Sequence, residues 1–525
     1  VAVIGSGVAG CCTVLSLFDR LRRSPRWDRP VDVVVVERDD QAWTGLPYGR
    51  RSSPNALIIT TAAEFLPAEL ADRFAAWFVR ERPRWTADLA EAGGECARAW
   101  QDRNADAIAS GRFAEAYIPR RLFGAFLQAE MADAIEAARR DGLATVTVLH
   151  GEATDLRRAG QGFVVSVARS DSPVADLAAG SVVLAVGSPP GRSILPPGVS
   201  PGPGSGLIDD AYAPSFDATL SAVRERLLSA SPDGRNLLIV GANASALELV
   251  YVLAHDRRLS DAARSVVVLS PGGQFPHRIS GGPEIDLPTP AMDALLAAGG
   301  GTALDVMTAA ERDVDAALQA GLTVGDGFGS VGAKLGALFE MLGTDETRAF
   351  HEQHGMHFSR LIRRAGREYR DAADRMRQSG ALLHVAGALD RLEPASNSGW
   401  TLHYRSSDGS SRTADRSFAA VVNCSGFEEV DAASSSPLIR SLVRSGLIEP
   451  NPTRRGIAVD ETLAASEGIF VVGPLLGGVF TSQIRMWHVE NVRRIHSIAP
   501  HVAESLAVRL GLGQEPREQE DRHAG

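Results

Sequence analysis

The stretch VAVIGSGVAGCC, Val1 to Cys12, decides the fold. A short apolar run leads into Gly5-Ser6-Gly7-Val8-Ala9-Gly10, and helix-forming residues follow. Such a run bounded by turn residues reads as a buried parallel strand. Each glycine in this spacing has a physical reason. Gly5 permits the tight turn, Gly7 lets the backbone approach a pyrophosphate, and Gly10 permits close helix–strand packing. The phosphates would rest on the helix N-terminus beside Ala9, where unpaired N–H groups and the macrodipole favour negative charge. A helix from about Ala9 to Arg22, closed by the breaker SPRWDRP, leads to a second apolar strand, Val31 to Val36, which ends on Glu37 and Arg38. Glu37 is placed to accept hydrogen bonds from ribose hydroxyls, and an acid there disfavours a 2′-phosphate. The first turn therefore suits FAD or NAD, with Gly5, Gly7, Ala9, Gly10, Glu37 and Arg38 as its contacts.

The same order returns once: strand Asn236 to Val240, turn Gly241-Ala242-Asn243-Ala244-Ser245-Ala246, a helix to His255, and a strand Ser265 to Leu269. Asn243 stands at the second glycine position. Asparagine tolerates left-handed backbone, so phosphate contact through Gly241, Asn243, Ala244 and Ser245 is retained. This strand runs into Ser270-Pro271 with no acid at its tip, which fits a nicotinamide cofactor carrying a 2′-phosphate. No arginine stands in the reading position, so NADH stays open beside NADPH.

Around these units the chain reads as an α/β protein with two Rossmann-like dinucleotide-binding domains. Residues 43–63 are turn-rich, and Glu64 to about Gly111 and Arg120 to Arg140 are helical. Strands are expected at Val146–His150, Phe163–Ala168 and Ser181–Val186, before a Pro/Gly-rich run over 187–206 that has linker composition. Residues 290–378 read as an inserted helical part. Strands return near residues 384, 402, 420 and 469, a last helix is expected over about Ser482–Leu512, and the tail from 513 is polar. The expected division is a first domain over 1–200, a second over 201–400 with a helical insertion at about 285–380, and a return to the first over 401–525.

Bulk properties exclude several classes. A net charge of −10 over 525 residues offers no basic field for nucleic acid or an anionic membrane. No apolar run approaches the length of a membrane span. The cysteines Cys11, Cys12, Cys96 and Cys424 contain no C-x-x-C pair and read as reduced, buried thiols of a cytoplasmic protein. The chain starts just before its first strand, so a few preceding residues are expected. His351, His354 and His357 in HEQHGMH lack the spacing of a metal site and read as solvated helix histidines, with no metal expected. Arg360, Arg363, Arg364, Arg367 and Arg370 read as one basic, solvated helix face.

Four further phrases carry a resemblance. YIPRRLFGAFL (Tyr117–Leu127), VVNCSGF (Val421–Phe427), SPLIRSLVRSGLIEPNP (Ser436–Pro452) and FVVGPLLGG (Phe470–Gly478) are similar to the signatures of a bacterial FAD/NAD(P)-binding flavoprotein family. The resemblance implies an FAD domain assembled from both chain ends, touched also by Arg120, Gly187, Gly473 and Pro474, and an NAD(P)H domain between them. Within that family the chain resembles flavin-dependent monooxygenases that oxidise an amino-acid nitrogen, those converting aspartate to nitrosuccinate among them.

Disulfide reductases built on two such domains need paired redox cysteines beside the flavin. This chain has none in suitable spacing, which turns the electrons toward dioxygen and a flavin hydroperoxide. An oxidoreductase with another electron acceptor and a non-catalytic redox sensor remain alternatives. An amino-acid substrate needs carboxylate recognition, which arginine forks supply. Arg278 in FPHRIS, and Arg485 and His488 at the expected start of the last helix, are the candidates. No side chain stands out as a general base, and association into homo-oligomers is left open.

Overall fold

The computed structural model describes residues 1–24, 29–169, 173–195, 202, 204–395 and 399–512. Parts of the SPRWDRP loop and of the Pro/Gly-rich run, and the polar tail from 513, lie outside them. The chain divides into two units. The first gathers Val1–Gly45, Ala125–Pro189 and Glu429–Gly525, and the second Leu46–Gly124 and Pro190–Glu428. A boundary thus falls inside the Pro/Gly-rich run. The helical segment Leu46–Gly124 differs from expectation, since it joins the second unit. The reason lies in backbone and charge pairing. The Tyr369 hydroxyl accepts from Leu57 N at 2.6 Å and donates to Leu57 O at 2.8 Å, and Arg120 pairs with Glu248.

The first unit is built on a six-stranded sheet in the order Ala464–Ser466, Ile469–Val471, Val182–Leu184, Ala2–Ile4, Val31–Glu37, Ala144–His150. All neighbours are parallel except the edge pair Ala464–Ser466 and Ile469–Val471. Val3 sits opposite Val35 on one side and Val183 on the other. These valines are buried, and each contributes about 1.5–3 kcal/mol of hydrophobic stabilisation. The helix Val8–Arg22 buries Val14, Leu17, Phe18 and Leu21, and the helix Val492–Arg509 packs against it. A three-stranded antiparallel sheet, Glu152–Ala159, Gly162–Ala168 and Ala175–Ala179, completes the unit.

The last helix begins ten residues later than expected, at Val492. Ser482, the expected start, gives its N–H at 3.0 Å and its hydroxyl at 2.7 Å to Glu461. Asn491 is the cap instead, accepting from Arg494 N at 2.8 Å and satisfying one of the orphan donors of the first turn.

The second unit has a seven-stranded sheet in the order Ser411–Phe418, Trp400–Ser406, Leu382–Pro394, Ser265–Ser270, Asn236–Val240, Ala420–Asn423, Leu207–Ile208. Its centre is parallel. Leu382–Pro394 begins parallel to Ser265–Ser270 and runs on to pair antiparallel with Trp400–Ser406. Six α-helices lie between Pro290 and Gln378, as expected of the inserted part. Buried Asp313 accepts from the N–H groups of Ala291 at 2.9 Å and Met292 at 2.8 Å, so a core carboxylate satisfies the start of helix Pro290–Ala297.

Two expectations about this part are corrected. His351 is buried, with its ring 5.6 Å from Phe339, because a π-helical turn over Phe350–His354 rotates it inward. The arginine run is no single face: one helix ends at Leu361, a short strand takes Arg364–Ala365, and a new helix starts at Arg367.

Candidate functional site

In the first unit the parallel strands Ala2–Ile4, Val31–Glu37, Val182–Leu184 and Ile469–Val471 all point their C-terminal ends to one edge. In open α/β sheets that edge is where ligands bind. Gly5 turns the chain there at φ +98°, and a Cβ on it would fall on the Ala185 carbonyl oxygen. A Cβ on Gly10 would fall on the Gly5 carbonyl oxygen. Gly7 is different: a Cβ on it would meet nothing nearer than Gly45 Cα at 3.5 Å, so it leaves room above the helix. Gly7 is also the helix cap, with extended backbone and no side-chain cap, and no acid lies in the first turn. The N–H groups beside Ala9 are therefore free of an intrahelical acceptor.

Glu37, at the tip of its strand, is 6% exposed. One oxygen accepts from Ser6 N at 2.9 Å and Ser6 Oγ at 2.6 Å, and the other from Asp39 N at 2.9 Å. The Ser6 hydroxyl in turn accepts from Trp43 N at 2.9 Å. The oxygen that accepts from Asp39 N keeps a second lone pair, enough for one ribose hydroxyl. Arg38 beside it is exposed. Gly187, φ +82°, has open space around it. Gly473, φ +84°, brings its loop so close to the first helix that a Cβ on it would lie 2.9 Å from Ala9 Cβ. Pro474 opens the short helical turn that follows. The glycine cradle, the unacidic helix start and the anchored acid fit an adenine dinucleotide.

The second unit repeats this turn. Gly241 has φ +107°, and a Cβ there would fall on the Cys424 carbonyl oxygen. Asn243, the cap, has φ −88° and ψ −160°, against −67° and −170° at Gly7. The asparagine thus needs no left-handed backbone and reproduces the glycine's geometry. Its side chain makes no cap hydrogen bond, and no acid follows in the first turn, so Ala244 and Ser245 present a helix start of the same kind. At the tip of the next strand the Ser270 hydroxyl is hydrogen-bonded to His384 Nε2 at 2.8 Å. Burial, with the charges of Arg377 and Arg370, lowers the His384 imidazole to about 4, so the ring is neutral near pH 7.

Beneath the second turn lies a polar cluster that sequence reading missed. Glu248, on the same helix, is buried at 1% exposure and pairs with Arg120, whose Nε donates to Leu57 O at 2.8 Å. Arg120, expected at the FAD, thus stands in the second unit with its guanidinium committed to Glu248. No spacing rule links positions 120 and 248. A cavity of about 430 Å³ opens at the far end of this helix, between Tyr251, His255 and Arg367. It lies away from the glycine turn and belongs to no part of it.

The three expected substrate contacts fall in different units. Arg278 stands in the second, with its Nε donating to Asp371 at 2.7 Å. Arg485 and His488 stand in the first. Arg485 rests over the Phe480 ring at 5.0 Å, and no carboxylate pairs with it among the described residues. The His488 ring nitrogen and carbonyl both take hydrogen bonds from Arg494, at 3.0 and 2.9 Å. All four cysteines are free thiols. Burial pushes Cys11 well up, Cys96 to about 11 and Cys424 to about 12, so these three are not ready nucleophiles. Among the described residues no group of His, Cys, Asp and Glu could hold a metal ion, and no helix is long and apolar enough to cross a membrane.

Known proteins place this architecture. A sequence model described as FAD-NAD(P)-binding matches residues 2–189. Over 515 residues the chain is 37% identical to Rv3403c of Mycobacterium tuberculosis (strain ATCC 25618 / H37Rv), covering 97% of this chain and 95% of that protein. Mb3437c of Mycobacterium bovis matches to the same extent. Among solved structures, ornithine hydroxylase of Pseudomonas aeruginosa aligns with a TM-score of 0.54 at 12% identity, over 97% of this chain and 98% of that one. L-lysine 6-monooxygenase of Pseudomonas syringae aligns with 0.53 at 14% identity, over 97% and 99%. These structures share the fold: α/β, with Rossmann-like nucleotide-binding domains.

Proposed function

Because the chain belongs to the FAD-NAD(P)-binding family, we propose that it is a flavin-dependent monooxygenase that uses NAD(P)H and O2 to oxidise the amine nitrogen of a small amino acid. The observation that carries this reading is the pair of glycine turns with one backbone geometry, one in each unit. The first, with Glu37 at its strand tip, holds FAD through Gly5, Gly7, Ala9 and Gly10, with Gly187, Gly473 and Pro474 on the same edge. The second, with Ser270 and no acid at its strand tip, takes NADPH in preference to NADH.

Bound FAD supplies hydride acceptance and electron delivery to dioxygen. The chain supplies the cradle: N–H groups at two helix starts for the pyrophosphates, and a carboxylate for the ribose. The thiols of Cys11, Cys96 and Cys424, pushed up by burial, offer no competing path for the electrons. The substrate class rests on the shared fold of an ornithine hydroxylase and a lysine monooxygenase, and the aspartate assignment on the resemblance of GPLLGG (Gly473–Gly478) and WHVEN (Trp487–Asn491) to the nitrosuccinate-forming monooxygenases. Arg485, with no carboxylate partner among the described residues, is the better substrate contact, whereas Arg278 is already engaged by Asp371.

The test is NADPH and NADH oxidation by the FAD-loaded protein against aspartate, ornithine, lysine and other amino acids, with mass spectrometry of the products. Stimulation by aspartate with an N-oxygenated product is expected. Stimulation by another amino acid alone overturns the aspartate assignment. A flat response to every amine overturns the monooxygenase reading.

A further inference from the structure

We propose that Tyr212 is a positioning residue for the NAD(P)H turn, acting through Ser245, with Glu248 and Arg120 as its anchor. This rests on the reading of Gly241–Ala246 as a nucleotide turn. The Tyr212 oxygen lies 2.7 Å from Glu248 Oε2 and 3.1 Å from Ser245 Oγ. A phenol has one proton. The carboxylate is the stronger acceptor and the closer one, so Tyr212 donates to Glu248 and accepts from the Ser245 hydroxyl. Ser245 is the second residue of the helix Ala244–His255, and Glu248 lies one turn further on. Tyr212 therefore ties the first turn of that helix to its second from outside the helix.

The tie is fixed in turn. Glu248 is closed off by Arg120, Arg120 is held by Leu57 O at 2.8 Å, and that same carbonyl accepts from Tyr369 at 2.8 Å. Burial pushes both the Tyr212 hydroxyl and the Glu248 carboxyl up, with Arg120 acting against it on each, so the pair depends on that single cation. The arrangement does two things for a pyrophosphate at the turn. It holds the Ser245 side chain back against Tyr212, which leaves the backbone N–H groups to face the phosphates. It also neutralises an acid one turn below them, which would otherwise repel the ligand in a low-dielectric interior.

NADP+ is the probe, titrated calorimetrically into FAD-loaded wild type, Tyr212→Phe, Ser245→Ala and the double variant, with FAD content and melting temperature recorded. Tyr212→Phe and Ser245→Ala are each expected to weaken NADP+ about fivefold to tenfold with FAD content unchanged. The double variant should be no weaker than the weaker single, because both remove one link. Wild-type affinity in Tyr212→Phe, or effects that multiply in the double variant, overturns the positioning role alone. Wild-type protein that holds FAD but binds neither NADP+ nor NADH overturns the reading of the second turn and the positioning role with it.

Discussion

Glu37 accepts both the backbone N–H and the hydroxyl of Ser6, at 2.9 and 2.6 Å, so the acid at the strand tip is fastened to the turn it faces. Its removal strands a buried N–H and a buried hydroxyl together. Glu37→Ala is expected to cost about 2 kcal/mol of stability and to lower FAD retention on gel filtration, read from the flavin-to-protein absorbance ratio.

The two turns are separable by one substitution in each. Gly5→Ala and Gly241→Ala both force a side chain onto a carbonyl oxygen at a positive φ, at about 1–3 kcal/mol for the backbone alone. Gly5→Ala should lose FAD. Gly241→Ala should keep FAD and lose NADP+, measured by absorbance and calorimetry on one preparation. Loss of both ligands in both variants would contradict the assignment of one ligand to each turn.

Asn243→Gly tests whether the asparagine matters as a side chain. Its backbone is extended and it makes no cap hydrogen bond. Stability should change by less than about 0.5 kcal/mol, and NADP+ affinity should stay within about threefold of wild type. A large loss would assign the amide a direct role at the ligand.

His384 makes the second unit sensitive to acid. Its folded-state pKa of about 4 lies below the ordinary 6.5, so the unfolded chain binds the proton more tightly. The stabilisation is complete above about pH 6.5 and is lost as pH falls through 4. For a partly exposed ring it amounts to about 1–2 kcal/mol after screening. His384→Gln should flatten that limb of the melting-temperature profile relative to wild type.

Arg485→Ala should raise the KM for the amino acid about tenfold, the scale of one lost charge-assisted hydrogen bond, with NADPH affinity unchanged. Arg278→Ala removes a half-exposed ion pair and should cost under about 1 kcal/mol. A KM effect at Arg278 and none at Arg485 would reverse the assignment.

Much of this is legible in the sequence because it is local. Valine-rich strands, glycines at fixed offsets and an acid at a strand tip express short-range geometry, and both turns follow from them. Long-range pairing is not legible. Nothing near Leu57 announces that its N–H and carbonyl meet Tyr369, yet that contact helps assign Leu46–Gly124 to the second unit. Ser482 has the composition of a helix cap, while its actual partner, Glu461, is remote in sequence, and so the last helix starts later than its composition suggests. His351 escapes the ordinary count of exposure because a π-turn shifts the helical phase on which that count depends.

The first unit draws on three separate chain segments, and this sets an order on biosynthesis. By residue 428 the ribosome has delivered every strand of the second unit's sheet, so that unit has all its parts in hand. The first unit's sheet still lacks Ile469–Val471, and its opening helix Val8–Arg22 still lacks the cover of Val492–Arg509. Within that sheet Val182–Leu184, already paired with Ala2–Ile4, waits longest for its other neighbour. The proposed FAD cradle is therefore among the last features of the chain to close, and a chain ending before residue 469 would carry the second glycine turn while the first lacked the Gly473 loop against Ala9.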